Sequence, residues 1–351
     1  MNKTIQIGTY KIGENHPCFI VGEIGMNHDG SKEKAKELIQ MAAEAGVQAV
    51  KFQTFRALDI INPTLSADYD KDEPVPDHFK FFYEYIAQFE LRYEWHDELI
   101  AFARDKGLIF ISTPCSFEAI DFLASRIPAY KVASMDLNHL PFLRKVGSQK
   151  KPVILSTGIG TYGEIEEAFC ALKEGGAEDI SILHCISNYP AKPEELNLKN
   201  ITTLKQAFEV PVGFSDHSTG IASSIAAVAL GANIVEKHIT MSRETPGPDH
   251  YFAMEPEDLR DLVAGIREVE LSLGHSSRII EQKEKEKTYT YRRSILVRRD
   301  MKQGEIIKAD DLDIIRPGYG IPPAEIDNVV GMELKKNINA YTPLQWDHFK
   351  S

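Results

Sequence analysis

Residues 213–240 read GFSDHSTGIASSIAAVALGANIVEKHIT, and this stretch decides the fold. An apolar run, Val210–Phe214, ends in the polar turn Ser215-Asp216-His217. A helical stretch follows, Gly231 stops it, and a second apolar run, Ala232–Ile239, carries Glu236-Lys237-His238. Side chains alternate along a strand, so Glu236 and His238 share one face and Lys237 points away. If the two runs are parallel neighbours, His217 and His238 emerge at the same end of the sheet. There a barrel can present two imidazoles to one ion. Two unrelated, hydrogen-bonded histidines are the other reading, since the spacing contains nothing like HExxH.

The same unit recurs outward in both directions. Apolar, β-branched runs occur at Cys18–Gly22, Ala49–Phe52, Leu108–Ser112, Ala129–Ala133, Pro152–Ser156, Ile180–Cys185, Val210–Phe214 and Ala232–Glu236. Between them lie amphipathic patterns such as Lys32–Ala45, Glu94–Lys106 and Glu164–Lys173, with another at Asp258–Leu273 after the last run. Gly46, Gly107, Gly176 and Gly231 stand just before strands, where a left-handed helix terminus favours a residue without Cβ. Apolar strands alternating with helices predict an α/β protein with a parallel sheet, and eight units predict a (β/α)8 TIM barrel over residues 1–277. A doubly wound open sheet ranks second, because no GxGxxG follows the first run.

Two segments break the rhythm. Residues 54–80 form a long loop carrying Pro63, Pro74, Pro76 and the acidic stretch Asp68–Asp77, read as a lid or as solvated decoration. Residues 278–290, with the run EQKEKEK, read as a solvated helix or linker. From 291 to 351 the short apolar runs, Gly304, Arg316-Pro317 and Pro322-Pro323 predict a small β-rich module, with a core thin enough to gain from covering a partner surface.

The 351 residues, 43% hydrophobic and 26% charged, describe an ordinary globular chain with no membrane-spanning run and no signal peptide. The four cysteines (Cys18, Cys115, Cys170, Cys185) form no CxxC pair and read as reduced core residues of a cytoplasmic protein. Cys115 and Cys185 lie near strand ends, which leaves a site-lining role open. The net charge of −12 argues against nucleic acid as a partner, and it requires an anionic substrate to be captured by local cations and N–H groups.

Barrels place catalytic groups at strand C-termini. Here those ends carry Glu23; Lys51 and Gln53; Ser112-Thr113; Lys131 and Ser134; Ser156-Thr157; Ser187 to Tyr189; Ser215 and His217; and Glu236 and His238. A lysine inside an apolar run is costly unless paired. Lys51 and Lys131 therefore suggest an anion cradle, with Schiff-base chemistry or buried ion pairs as competing readings. Glu23 reads equally as a base toward water or a hydroxyl and as a salt-bridge partner of Lys51 or Lys131. His184 reads as a hydrogen-bonded core histidine, and Asp249-His250 follow a rigid Pro246-Gly247-Pro248 turn.

These stretches together are familiar. Glu23-Ile24-Gly25 with Asn27-His28, VKFQT (50–54), FISTP (110–114), AYKVAS (129–134), LSTG (155–158), HC…YP (184–190), GFSDH (213–217), EKH (236–238) and GPDH (247–250) resemble the sialic acid synthase family, essentially end to end. The C-terminal part, including Arg316-Pro317-Gly318, resembles the antifreeze-like (SAF, β-clip) domain of those enzymes.

The resemblance implies condensation of phosphoenolpyruvate with an N-acetylated hexose such as N-acetylmannosamine, releasing phosphate by C–O cleavage. It implies a divalent metal, typically Mn2+ with Mg2+ or Co2+ as substitutes, on His217 and His238. Phosphoenolpyruvate contacts are implied for Lys51, Thr113, Lys131, Ser134, Ser156, Ser187 and Ser215. Gln53, Asp136, Tyr189 and Asp249 are placed near the amino sugar. Arg316 is implied to reach a partner's barrel in a domain-swapped homodimer.

Two positions depart from an N-acetylneuraminate synthase: Asp136 stands where Glu is usual, and Ser187 where some members have Asn. The shorter carboxylate changes reach by about 1.5 Å. Legionaminic or pseudaminic acid synthesis from a 2,4-diacetamido-trideoxyhexose is thus the alternative, and Gly247–His250 look more like the neuraminic and legionaminic branch. A Schiff-base aldolase or a non-catalytic carbohydrate-binding protein is a more distant reading.

Overall fold

The computed structural model describes residues 4–68 and 75–350. The chain divides into two compact units, Met1–Gly274 and His275–Ser351.

The first unit opens with a hairpin, β1 (Ile5–Ile7) against β2 (Tyr10–Ile12). Eight parallel strands follow: β3 (Phe19–Gly25), β4 (Ala49–Thr54), β5 (Ile109–Pro114), β6 (Tyr130–Val132), β7 (Val153–Ser156), β8 (Ile180–Cys185), β9 (Val212–Asp216) and β10 (Ile234–His238). They close in chain order, β10 pairing with both β9 and β3. The predicted (β/α)8 barrel is the observed fold, with strand limits shifted. The first strand runs past its expected end at Gly22 to Gly25, so Glu23 belongs to the barrel wall, and the last keeps His238 in the wall as its final residue. Apolarity alone marks where a strand is buried, and these ends are polar.

The helices Lys32–Ala45, His96–Asp105, Tyr162–Gly175 and Pro256–Leu273 present apolar faces to the strands. Ser31 accepts the N–H of Lys34 at one helix start, and Thr161 with Glu164 forms a capping box at another. The four glycines singled out as helix stops all have positive φ.

The barrel interior is layered. Phe19, Val21, Ala49, Ile111, Ala129, Ile154, Leu183 and Ile234 point inward and pack against Ile5, Ile7 and Ile12 of the hairpin. The hairpin therefore plugs the N-terminal end with side chains that would otherwise face water. Two residues farther along the same strands stand Glu23, Lys51, Thr113, Lys131, Ser156, Cys185 and Glu236, again inward because strand periodicity is two. One layer of oil thus carries one layer of ionisable groups.

The connection after β4 is partly built. It contains a short helix, Ala57–Ile60, and a Ser66–Phe81 bridge, and it packs through Phe55, Phe82, Tyr85, Ile86, Phe89 and Cys115. Pro74 and residues 69–74 of the acidic stretch lie outside the described residues.

The second unit has an antiparallel pair, β11 (Ser294–Val297) with β12 (Leu312–Ile315), and a small core including Ile295, Val297, Met301, Leu312, Leu334, Leu344 and Phe349. Residues Gln282–Tyr291, read as a solvated helix or linker, form a helix; Gly318 donates its N–H to Tyr289 O at 2.8 Å, and Arg316 lies over the Tyr291 ring at 4.9 Å. Among the described residues no helix is long and apolar enough to cross a membrane.

Candidate active site

A cavity of about 290 Å³ opens at the C-terminal ends of the barrel strands. Glu23, Lys51, Gln53, Thr113, Lys131, Ser134, Ser156, Ser187, Tyr189, Ser215, His217 and His238 all line it. Three expected residues stand elsewhere. Asp136 lies on the short turn Ser134–Asp136, with Oδ2 buried and without a hydrogen-bond partner. Asp249 approaches His238, its Oδ2 3.5 Å from Nδ1. Arg316 is an exposed residue of the second unit.

The floor is an ionic cluster. Glu23 and Lys51 are in-register neighbours on β3 and β4, with Oε2 2.8 Å from Nζ. Glu236 joins the two lysines, its Oε1 3.5 Å from Lys131 and 3.8 Å from Lys51, and accepts from Ser215 Oγ at 3.0 Å. Lys131 donates to Ser156 Oγ at 2.7 Å, and Gln53 Nε2 donates to Glu23 Oε1 at 3.3 Å. The lysines and Glu23 are thus the buried ion pairs that one reading expected, and they also line the cavity.

Burial sets the electrostatics. It pushes the Glu23 carboxyl up, and the nearby Glu236 adds to that against the opposing pull of Lys51. Burial acts the same way on Glu236, but Lys131, Lys51 and Ser215 outweigh it and hold that carboxyl low. It also lowers Lys131, only partly offset by Glu236, whereas Lys51 is raised because Glu23 and Glu236 overcome the burial effect. Glu23 is the carboxylate better suited to accept a proton, and Glu236 the one that stays charged.

The two imidazoles converge. Their ring centroids lie 5.5 Å apart, and the Tyr189 ring lies 4.2 Å from that of His217, tilted by 33°. His217 Nδ1 faces Ile186 O at 2.7 Å, so Nδ1 carries a hydrogen and Nε2 is the nitrogen that offers a lone pair in the neutral ring. His238 is pushed well below the usual imidazole range by burial and then by His217 and Lys51, and its buried Nδ1 has no hydrogen bond. Burial would lower His217 too, but Cys185 and the Ile186 carbonyl outweigh it and raise that ring. Two converging rings still fit a divalent ion, which His217 would hold by giving up a proton. No third His, Cys, Asp or Glu completes a cluster with them among the described residues, so such an ion would retain positions for oxygen ligands.

Two glycines are required by space. A Cβ on Gly25, which has φ +52°, would sit 3.2 Å from Glu23 Oε1 and from Asp249 Oδ2. A Cβ on Gly158 would fall 2.1 Å from Ser187 Oγ and 2.8 Å from Ser134 Oγ, while its N–H donates to Ser134 Oγ at 2.9 Å. Ile159, next along, has φ +54°, is 81% exposed and lines the cavity rim with Met135.

Sequence reasoning underused Glu236, although its shared parity with His238 was visible. It also underweighted Cys115 and Cys185: both line the cavity, and Cys185 Sγ lies 3.9 Å from His217 Nδ1. Cys170 is exposed on the helix Tyr162–Gly175, which corrects its reading as a core residue. His184 is the core histidine expected, bonded to Leu196 O at 2.6 Å and stacked on Phe214.

An eight-stranded parallel barrel with charged groups converging on its C-terminal mouth is an enzyme scaffold of the TIM-barrel class. The model of the NeuB family matches residues 38–278, and that of the SAF domain matches residues 292–350. The chain is 40% identical over 345 residues to N,N'-diacetyllegionaminic acid synthase of Legionella pneumophila, covering 97% of this chain and 96% of that protein. It is 33% identical over 347 residues to pseudaminic acid synthase of Campylobacter jejuni, covering 99% and 100%. Among solved structures it is similar to N-acetylneuraminic acid (sialic acid) synthetase from Leptospira borgpetersenii, at 32% identity and a TM-score of 0.74, over 82% of this chain and 95% of that one. The chain belongs to the NeuB family, the sialic acid synthases.

Proposed function

We propose that the protein condenses phosphoenolpyruvate with a 2,4-diacetamido-trideoxyhexose in the manner of a legionaminic acid synthase, releasing phosphate. One observation carries the reaction type: two buried lysines and a row of hydroxyls surround a cavity beside two converging imidazoles. The sugar rests on the higher identity to a legionaminic acid synthase than to the pseudaminic acid synthase or the sialic acid synthetase.

The residues divide the work. Lys51 and Lys131, with Thr113, Ser134, Ser156, Ser187 and Ser215, hold the carboxylate and phosphate, and they are already close to carboxylates that an anionic substrate would displace. The C2–C3 π pair of phosphoenolpyruvate forms the bond from C3 to the aldehyde carbon of the open-chain sugar and leaves C2 electron-deficient, while the aldehyde oxygen becomes a hydroxyl with a proton that the added water gives up. Water adds to C2, and Glu23 accepts its proton. The hydroxyl on C2 then gives its proton to the departing phosphate as the C2=O bond forms and the C2–O bond to phosphate breaks, with the lysines stabilising the departing charge. A divalent ion on His217 and His238, Mn2+ by preference, supplies Lewis-acid polarisation of the aldehyde when bound. Gln53, Tyr189 and Asp249 orient the sugar. Arg316 belongs to the same proposal as a charge delivered from a partner subunit in a homodimer.

The test is phosphate release from phosphoenolpyruvate, screened over N-acetylmannosamine and the diacetamido-trideoxyhexoses with and without chelator. Chelator-sensitive release with the diacetamido sugar, and much weaker release with N-acetylmannosamine, is expected. The reverse preference would return the assignment to N-acetylneuraminate synthesis. His217→Ala and His238→Ala should each abolish ion binding by the chelator-stripped protein while keeping its circular dichroism.

A further inference from the structure

Two loops of the barrel unit meet beside the imidazoles, one following β3 with Asn27–Gly30 and the other following β10 with Thr240–His250. His250 joins them. Its buried ring places Nε2 3.0 Å from Asp29 Oδ1 and Nδ1 2.7 Å from Thr240 Oγ1. Each partner is itself held: Lys34 lies 2.7 Å from Asp29 Oδ2, while Thr240 Oγ1 donates to Ser242 O at 3.0 Å and accepts from Ser242 N at 3.1 Å. Gly247 leaves the ring its space, because a Cβ there would stand 2.6 Å from His250 Cδ2.

The residue before the clamp is Asp249, whose Oδ2 lies 3.5 Å from His238 Nδ1, near that nitrogen but outside hydrogen-bond geometry. We propose that His250 is a positioning residue: by tying the loop after β10 to Asp29 in the loop after β3, it sets Asp249 against His238 and so fixes the orientation of that ring. A carboxylate behind an imidazole is the arrangement that aligns a ligating histidine, and loss of such a partner typically weakens ion binding about 10- to 100-fold. The inference rests on the proposed role of His217 and His238. A clamp acting through Asp249 should touch the ion and the sugar, whereas the phosphoenolpyruvate cradle is built from other strands.

The experiment uses the full chain, stripped with chelator and titrated calorimetrically with Mn2+ alone, alongside steady-state kinetics for both substrates. His250→Ala should weaken Mn2+ binding about 10- to 100-fold and raise KM for the sugar, leaving KM for phosphoenolpyruvate nearly unchanged. His250→Gln, whose amide can still donate to Asp29, should recover much of that loss. Thr240→Val removes only one hydroxyl and serves if His250→Ala fails to fold. Wild-type Mn2+ affinity and sugar KM in a folded His250 or Thr240 variant, even one with a lowered Tm, would overturn the clamp. A wild-type protein that binds no divalent ion overturns the ion reading and the clamp with it.

Discussion

Lys237 Nζ lies 2.7 Å from Asp216 Oδ2 on the outer side of the barrel wall, at positions paired in register between β10 and β9. The residues flanking them, Ser215 and His217 on one strand and Glu236 and His238 on the other, face the cavity. Asp216 also accepts from Ser218 N, Ser218 Oγ and Ser224 Oγ, while Lys237 donates to the Ser218 carbonyl at 2.7 Å. One buried ion pair therefore secures, from behind, the two strand ends that present the imidazoles.

Removing one member of that pair leaves the other charge buried without its counter-ion. Lys237→Met should destabilise the protein by about 3–5 kcal/mol, measured by urea unfolding at constant m. A second substitution, Asp216→Asn, should recover part of the loss. A single-variant effect below about 1 kcal/mol would show that Ser218 and Ser224 satisfy Asp216 alone.

Glu23→Gln keeps the shape of the side chain and its contact with Gln53, but removes the proton acceptor and the partner of Lys51. Glu236 remains 3.8 Å from Lys51 to hold it. Turnover should fall by a factor on the order of 10² to 10⁴, with KM for phosphoenolpyruvate changed only a few-fold. Phosphate-release kinetics decide it, and unchanged turnover would remove Glu23 from the chemistry.

What the sequence made legible follows from what apolarity can report. Runs such as Ile180–Cys185 are buried on both faces, so hydrophobicity alone located β8 to the residue. The hairpin Ile5–Ile12 escaped notice because two three-residue strands give too short an alternation, although Ile5, Ile7 and Ile12 carry the pattern. The site was readable because lysines and carboxylates do not belong in apolar runs unless paired. The Glu23–Lys51 pair was readable as one alternative for Glu23, but the role of Glu236 was not: only the closed barrel shows that Glu236 on the last strand meets lysines from the second and fourth. Nor could periodicity place Asp249, which reaches His238 through a loop.

Asp136 offers a pH-dependent test. Burial pushes its carboxyl up to about 6. Between about pH 4 and 6 the folded chain keeps a proton that the unfolded chain has released, so this group's contribution to stability falls as pH rises through that window. Above it, the charged and half-buried Asp136 costs stability. Asp136→Asn should therefore gain about 1–2 kcal/mol at neutral pH, after allowing for partial exposure, and almost nothing near pH 4. Thermal melts across that range check the sign. A gain independent of pH would refute it.

Ile159 tests whether backbone strain is retained for the substrate. A β-branched residue at φ +54° is sterically disfavoured by about 1–2 kcal/mol, and this side chain is largely exposed, so core packing does not compensate. The loop cannot relax around it: Thr157 Oγ1 donates to Leu183 O at 2.9 Å and Gly158 is fixed against Ser134. Glycine accepts the same backbone without a steric penalty, though it loses more freedom on folding. Ile159→Gly should thus raise stability by a net of about 0.5–1 kcal/mol. Because the side chain lines the cavity rim beside Met135, the same change should raise KM for the sugar and spare that for phosphoenolpyruvate. A stabilised variant with unaltered kinetics would show that the strained residue serves neither substrate, and a destabilised one would show that its side chain contributes packing beyond its exposure.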